Sequence, residues 1–219
     1  MNHPRRRATL TCLAAGLLTA ALPAVSAAAY PDKPIRLVVP FPPGQGADIL
    51  ARLIGQHLAA ALGQPIVVEN KVGAGGIIGT AFAAKAAPDG YTLYMGSSGP
   101  LAIGPHVYKA VGFDTLKDFA PISNIASVTQ VLVTAPASQL ASAKDVVERA
   151  RAQPGMVPFG SAGSGTTSHL TMELFTQMSG ISLSHVPYKG SSTSMIDVMA
   201  GRVPLMFDSL PGVLTNVKS

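Results

Sequence analysis

A short apolar strand, a glycine-rich loop and a helix follow one another repeatedly along this chain, and this repetition restricts its possible folds more than any other feature. The first copy begins with Ile35–Val39, a largely aliphatic run typical of a strand buried on both faces. Prolines end the strand because they lack an N–H donor, and Gly44 permits a tight turn. A helix is predicted over residues 49–62, with Asp48 as its N-cap.

Two further copies follow directly. A strand at 65–69 leads through the glycine loop 73–76 to a helix at 77–87, and a third strand at 91–95 ends in the loop 96–100. These connections are long enough to make successive strands parallel. The sequence therefore predicts an α/β fold of parallel-rich sheets flanked by helices, in which loops and helix N-termini gather at the carboxyl ends of the strands.

The second half of the chain repeats this pattern, so we predict two lobes, lobe one over 30–127 and lobe two over 128–208. Residues 120–128 and 131–134 are strand-like. Residues 209–219 start a return crossover helix that lacks a cap, which predicts a C-terminal truncation with the last part of lobe one missing. The other elements predicted for lobe two are a helix at 143–152, a strand at 157–160, the loop 161–167, a helix at 168–178, a strand at 182–186, the loop 187–190, a helix at 192–200 and a strand at 203–207.

The first 29 residues have the composition of a secretory signal peptide. Three arginines near the start precede an apolar segment at 10–22, which is too short to span a bilayer. Two overlapping A-x-A-like sites, at 25–27 and 27–29, are alternative cleavage points. The sequence therefore predicts removal of residues 1–29 on export to the periplasm.

Charge and cysteine content narrow the class of function. The chain has 16 basic and 11 acidic residues and one cysteine, Cys12. Three of the basic residues and the cysteine lie in the leader, so the exported chain has an excess of two basic residues and no thiol chemistry. No basic patch is interleaved with aromatic residues, which argues against nucleic-acid binding. The histidines lack metal-ligand spacing, and neither a metal nor a cofactor is predicted.

Three common enzyme motifs are absent from the sequence. The G-x-S-x-G and Walker patterns do not occur, and a dinucleotide-binding pattern that begins at Gly163 has Ser168 in place of its third glycine. One enzymatic alternative stays open, a periplasmic hydrolase that uses Ser161 or Ser164 with His169. Because no nucleophile–base pair is evident, the sequence favours a binding protein over an enzyme.

The loops after the predicted strands are rich in N–H and hydroxyl donors and poor in charged side chains. Such donors, together with the positive end of a helix dipole, suit a small anion. A site built from them holds a carboxylate without a buried arginine. The candidate ligand-binding residues are Phe41, Pro42, Gly44, Gln45, Ala47, Gly75, Gly76, Ser97, Ser98, Ser161, Ser164, Thr166, His169, Tyr188, Lys189 and Asp208.

Simpler structural roles compete with ligand binding at several positions. Asp48 suits helix capping better than ligand contact. His169 lies in the first turn of a predicted helix, where a local contact explains it as well as a role in the site. Lys189 is either an ordinary solvated lysine or a site residue on a strand-end loop. Asp208 either reaches the site or caps the next helix.

Four segments of the sequence are distinctive in combination: YPDKPIRLVVPFPPG at 30–44, VVENKVGAGGIIGT at 67–80, DGYTLYMGSSG at 89–99 and VPYKGSS at 186–192. Together they resemble the substrate-binding receptors of tripartite tricarboxylate transporters, also called the Bug family. The resemblance extends over 30–219. It implies a periplasmic binding protein of two α/β lobes, a Venus flytrap of type II-like architecture.

The resemblance also implies which loops bind the ligand. In similar proteins the loops at 41–47 and 161–169 grip the ligand, partly through ordered water, while the loop 187–190 and Asp208 border the cleft. Gln45 stands where a glycine is more usual in the family, so the pocket is expected to differ here.

The function implied by the resemblance is that of a monomeric receptor, which captures a small mono-, di- or tricarboxylate and delivers it to the membrane subunits of a transporter. A ligand-presenting protein for a sensor kinase is an open alternative, as is the hydrolase. The sequence does not define which carboxylate is bound, because backbone donors recognise any carboxylate.

Overall fold

Two small sheets, each flanked by helices, form the framework of the molecule. The structure is a computed structural model that describes residues 30–218, so the predicted signal peptide at 1–29 lies outside the described residues. Residues from Lys33 onward belong to one compact unit, which contains both sheets. None of the helices within 30–218 combines the length and the apolar character needed to span a membrane.

The first sheet is entirely parallel and has the strand order β2-β1-β3. Leu37 in the central strand lies opposite Val68 and Leu93 of its two neighbours. Each strand leads into a loop and a helix at its carboxyl end, so these loops gather at one edge of the sheet. The elements are β1 (Ile35–Val39), α1 (Gly46–Leu62), β2 (Ile66–Asn70), α2 (Ile77–Ala84), β3 (Thr92–Tyr94) and α3 (Gly104–Val107), with a π-helical turn at Gly99–Ile103.

The second sheet is mixed, with the strand order β4-β7-β5-β6. Strands β5, β6 and β7 are parallel, whereas β4 pairs antiparallel with β7. The sheet is therefore parallel-rich, as the sequence predicts. Its elements are β4 (Gln130–Thr134), α4 (Ala143–Ala152), β5 (Pro158–Ser161), α5 (Thr167–Ser179), β6 (Ser184–Pro187), α6 (Ser191–Met199), β7 (Leu205–Ser209) and α7 (Leu210–Lys218).

Apolar side chains cover both faces of the second sheet. Met206 belongs to a cluster on one side with Met195 and Val213. Phe159 belongs to a cluster on the other side with Met172, and neither side chain is exposed. The first sheet has a smaller core of its own, formed by Leu37, Val39, Ala51 and Met95.

Two predictions about local structure are wrong. Residues 120–128 form no strand, because this segment runs exposed along the surface and pairs with no other strand. Asp48 is not the N-cap of α1, which begins three residues earlier than predicted and has Gln45 as its N-cap. The glycine turn lets the helix begin at Gly46, so Asp48 falls in the first turn and is buried.

The buried Asp48 ties the first loop to the neighbouring strand. Its carboxylate accepts hydrogen bonds from Gly44 N at 2.9 Å, from Arg52 Nε at 2.9 Å and from Asn70 Nδ2 at 2.9 Å. Burial raises the pKa of Asp48, but these hydrogen bonds outweigh it and hold the pKa below its ordinary value. Asn70 also donates to Phe41 O at 2.8 Å, so the loop after β1 is held in one conformation.

Candidate functional site

The loops that follow the strands of the first sheet touch the loops that follow β5 and β6 of the second sheet. At one end of this contact, Gln45 Oε1 accepts a hydrogen bond from Ser191 N at 3.1 Å. Gly190 lies against Pro42 so closely that a Cβ on Gly190 would overlap the proline ring. Gly190 also has φ of 128°, a conformation that favours glycine. The loop at 187–190 therefore reaches the loop after β1.

The glycine loop after β2 meets the loop after β5. Gly75 has φ of 62°, and a Cβ built on it would lie 2.7 Å from Ser164 O and 3.3 Å from Thr166 Cγ2. Tyr108 lies beside the same contact and donates from its hydroxyl to Ser164 O at 2.9 Å. Burial raises the pKa of Tyr108, which keeps this phenol a proton donor at neutral pH. The two loops approach one another this closely because residue 75 has no side chain.

The loop after β3 meets the N-terminus of α5. Ser98 Oγ and Thr167 Oγ1 lie 3.2 Å apart, within hydrogen-bond distance. Thr166, the N-cap residue of α5, is buried and donates from Oγ1 to Gly163 O at 2.6 Å. The three loops of the first sheet thus each contact the second sheet through backbone, hydroxyl or amide groups.

Asp208 lies in β7, one residue before the strand ends, and its carboxyl group is buried beside the first turns of α6 and α7. Burial raises the pKa of Asp208, whereas the Ser191 hydroxyl and the N–H and hydroxyl of Ser209 favour the ionised form. The neighbouring Gly46 packs against Ser209 and Gly212, so the N-termini of α1 and α7 meet here. Asp208 therefore lies near the start of α7 and beside Ser191, and its part in ligand binding stays a prediction.

Ser161 is paired with a histidine that the sequence did not indicate. Its hydroxyl lies 2.6 Å from His185 Nε2 and accepts a hydrogen bond from Gly163 N at 3.1 Å. The rings of His185 and His169 stack with their centroids 4.0 Å apart, and His169 Nδ1 accepts from Gly165 N at 3.2 Å. His169 therefore makes the local contact that was one of its two alternatives. The hydrolase pairing of Ser161 or Ser164 with His169 receives no support from these contacts.

The stacked histidines are expected to make stability depend on pH. Burial and the neighbouring His169 lower the pKa of His185 to about 4, and burial lowers the pKa of His169 although Glu173 opposes it. The ordinary histidine pKa is about 6.5, so the unfolded chain binds more protons than the folded chain between pH 6.5 and 4. The stabilising contribution is thus complete above about pH 6.5 and is lost as the pH falls towards 4.

Replacing His185 with glutamine tests this expectation. The free energy of unfolding of the parent should fall between pH 7 and pH 4.5, and the fall should be about 1–2 kcal/mol smaller in the variant, because glutamine does not titrate. This figure allows for solvent screening, since both histidine rings are partly exposed. Urea denaturation at the two pH values measures the difference. The matched control is His57→Gln on the exposed side of α1. An identical pH slope for the parent and His185→Gln contradicts the role of His185.

Several candidate residues are exposed or interact within their own sheet's elements. Tyr188 donates its phenol proton to Asp197 Oδ2 at 2.7 Å, and burial together with Asp197 raises its pKa to about 12. Lys189 is exposed, and its side chain has no hydrogen-bond or ion-pair partner among residues 30–218. Gly44 is exposed in its turn, and Ala47 packs towards the core of the first sheet.

The remaining candidates lie in the contacting loops. Gly76 packs against Phe41 within the first sheet's loops, and Ser97 O accepts from Leu101 N at 3.2 Å. The candidate residues omit Tyr108 and Thr167, which make contacts between the two sheets. Thr167 is the last residue of the predicted loop 161–167, whereas Tyr108 lies in a stretch without clear periodicity.

The chemistry available at the contact is hydrogen-bond donation without positive charge. No lysine or arginine among residues 30–218 forms a hydrogen bond or ion pair with these candidate residues. Within the described residues, no group of three or more His, Cys, Asp or Glu side chains is arranged to hold a metal ion. Such a site can bind an anion through neutral donors and helix N-termini.

The parallel-rich α/β sheets match those of a solved periplasmic binding protein, BugD, so the fold is that of the periplasmic binding-protein class. More specifically, the family model described as "Tripartite tricarboxylate transporter family receptor" matches residues 50–219. The chain therefore belongs to this family, which confirms the resemblance stated from the sequence.

Individual relatives agree with the family assignment. Protein BugT of Bordetella pertussis is 41% identical over 196 residues, which are 89% of this chain and 60% of BugT. An R. palustris protein solved with adipate has a TM-score of 0.84 and 37% identity, over 86% of this chain and 63% of that one. MatC from Rhodopseudomonas palustris, solved with bound malate, has a TM-score of 0.80 and 26% identity, over 86% of this chain and 64% of MatC. The chain thus spans about three fifths of the length of these relatives.

Proposed function

We propose that this protein is a periplasmic receptor that captures a small carboxylate and delivers it to the membrane subunits of a tripartite tricarboxylate-type transporter. The observation that carries the proposal is the facing set of loops, in which neutral donors from two sheets converge without a paired arginine or lysine. A carboxylate satisfies such donors through its two oxygens. The protein acts by binding its solute and not by catalysis.

The relatives favour dicarboxylates within this class. Adipate and malate, the ligands named for the two solved relatives, are both dicarboxylates of moderate length. A second carboxylate needs polar partners at the far end of the site, and neutral polar groups of the two sheets meet at several points along the loop contact. Dicarboxylates of four to six carbons are therefore the first ligands to test.

We further propose that the sixteen candidate residues include the ligand contacts, and that lobe one at 30–127 and lobe two at 128–208 close around the solute. Residues 209–219 then begin the crossover between the lobes. The hydrogen bonds between loops of the two sheets support this arrangement, because they are made only when the loops meet. Export through the leader at 1–29 and a monomeric state complete the proposal, and light scattering of the purified protein checks the latter.

Thermal melting with and without dicarboxylates tests the proposed function. Succinate, malate, glutarate and adipate are each added at millimolar concentration, and the matched diamides serve as neutral controls. A ligand at about 100 times its dissociation constant stabilises the folded state by roughly 2.7 kcal/mol. For a chain of this size that corresponds to a rise in Tm of about 5–10 °C.

The diamides decide whether charge is recognised. A rise with one dicarboxylate and none with its diamide supports a carboxylate receptor and identifies the ligand length. Equal rises with acid and amide, or no rise with any member of the panel, contradict the proposal. Turnover of an ester or amide substrate would instead favour the hydrolase.

A further inference from the structure

Gln45 connects the two sheets through both its backbone and its side chain. As the N-cap residue of α1, it accepts hydrogen bonds on its backbone oxygen from Asp48 N at 2.8 Å and from Ile49 N at 3.0 Å. The residue is 9% exposed, and Oε1 accepts from Ser191 N at 3.1 Å. Ser191 is the first residue of α6, so the amide oxygen of Gln45 accepts from an N–H group at the positive end of that helix.

The bond to Ser191 determines which way the amide of Gln45 faces. A backbone N–H only donates, so the atom that meets it must be the amide oxygen. The amide nitrogen Nε2 then points elsewhere, and it offers two protons and accepts none. Because Oε1 is bonded to Ser191 N, any further group that contacts the free end of this amide meets the two N–H donors of Nε2.

Nε2 has no hydrogen-bond partner among residues 30–218. It is not one of the fully enclosed unpaired atoms, so a group from outside the described chain can reach it. Its two protons are therefore available to an acceptor from outside the described chain. The carboxyl group of Asp208 lies beside Ser191.

We propose that Gln45 is a specificity-determining residue, which receives the Ser191 N–H on Oε1 and donates from Nε2 to an ionised carboxylate oxygen of the bound solute. This inference rests on the proposed function and assigns one residue a defined part in it. The neutral amide thus accepts a hydrogen bond at the positive end of α6 and donates one to the ligand. Solutes that present a donor at this point, such as amides, are then rejected because two donors face one another.

Two substitutions of similar length separate the two faces of the amide. Glu at position 45 retains an oxygen for Ser191 N but presents a second oxygen to the solute, so Gln45→Glu is expected to weaken dicarboxylate binding by about 10- to 100-fold. Met keeps the length and removes both bonds, so Gln45→Met is expected to weaken binding by a smaller factor, about 3- to 10-fold. Gln56→Glu is the matched control, because Gln56 is exposed on the same helix.

Isothermal titration of succinate, malate, glutarate and adipate into the four proteins measures the effects, with melting curves to confirm that each variant folds. Weaker binding by Gln45→Glu than by Gln45→Met, with Gln56→Glu unchanged, supports the inference. Parent-like affinity of Gln45→Glu overturns it, and a loss confined to Gln45→Met reduces Gln45 to a contact between loops and overturns it as well. If the parent and Gln56→Glu bind none of the four solutes, the proposed function fails and the inference fails with it.

Discussion

Replacing Gly75 with alanine is expected to weaken dicarboxylate binding by about 10- to 100-fold, the largest effect on binding that we expect from adding a single methyl group. A Cβ at this position would lie 2.7 Å from Ser164 O, and the backbone around Ser164 is held by the Tyr108 hydroxyl. Backbone atoms cannot rotate aside as a side chain can. The two loops must therefore separate by several tenths of an ångström, and the donors on both sides then fit the same ligand less well.

Gly180→Ala is the matched control for this prediction. Gly75 and Gly180 have φ of 62° and 61°, so alanine suffers the same backbone strain at both positions. A Cβ added to Gly180 would have no atom within 4 Å, and this residue lies at the end of α5, away from the loop contact. Titration calorimetry with the best-binding dicarboxylate compares the two variants. Equal affinities would show that the contact at Gly75 does not govern binding.

Replacing Phe159 with alanine is expected to lower the free energy of unfolding by about 3–5 kcal/mol, the largest loss of stability that we expect from a single core substitution. Phe159 is fully buried at the centre of a cluster that includes Val146, Met172 and Leu205. Its ring also stacks on His185, with centroids 4.9 Å apart. Alanine removes the ring and leaves a cavity that rigid strands on either side cannot fill.

Urea denaturation measures this loss, and two comparisons define its cause. Phe159→Leu fills most of the volume and should cost less than half as much. Met178→Ala removes a side chain that is 79% exposed and should change stability by less than about 0.5 kcal/mol. A loss of under about 1 kcal/mol for Phe159→Ala would mean that this cluster contributes little to the fold.

Local signals in the sequence were sufficient for individual elements. The helix predicted at 143–152 has those bounds in the structure, because Ser142 and Asp145 form a capping box that is encoded within four residues. The strand Ile35–Val39 was likewise recognised from its own apolar run. The strand prediction at 120–128 is wrong because it also rests on local composition, and strand-like composition does not reveal whether a partner strand lies beside the segment.

The position of a loop after a parallel strand is enough to predict that it lies near a site. Parallel strands bring their carboxyl-end loops to one edge, so the loops around Gln45, Gly75 and Ser164 were predicted to be near a site and do contact loops of the opposite sheet. The individual partners were not predictable. Ser191 lies 146 residues from Gln45 in the chain. No local sequence pattern specifies which of the many loop N–H groups donates to the amide oxygen of Gln45.

The sequence by itself determined the α/β class, the order of the strand–loop–helix copies and the neutral, donor-rich chemistry of their loops, because each depends on residues that are close together in the chain. Only the tertiary structure decided that β4 runs antiparallel to β7, that His185 and not His169 meets Ser161, and that Gln45 reaches Ser191. These outcomes depend on how two sheets pack and twist against their helices. Packing is a property of the whole chain, so residues far apart in sequence acquire their partners only when the fold is complete.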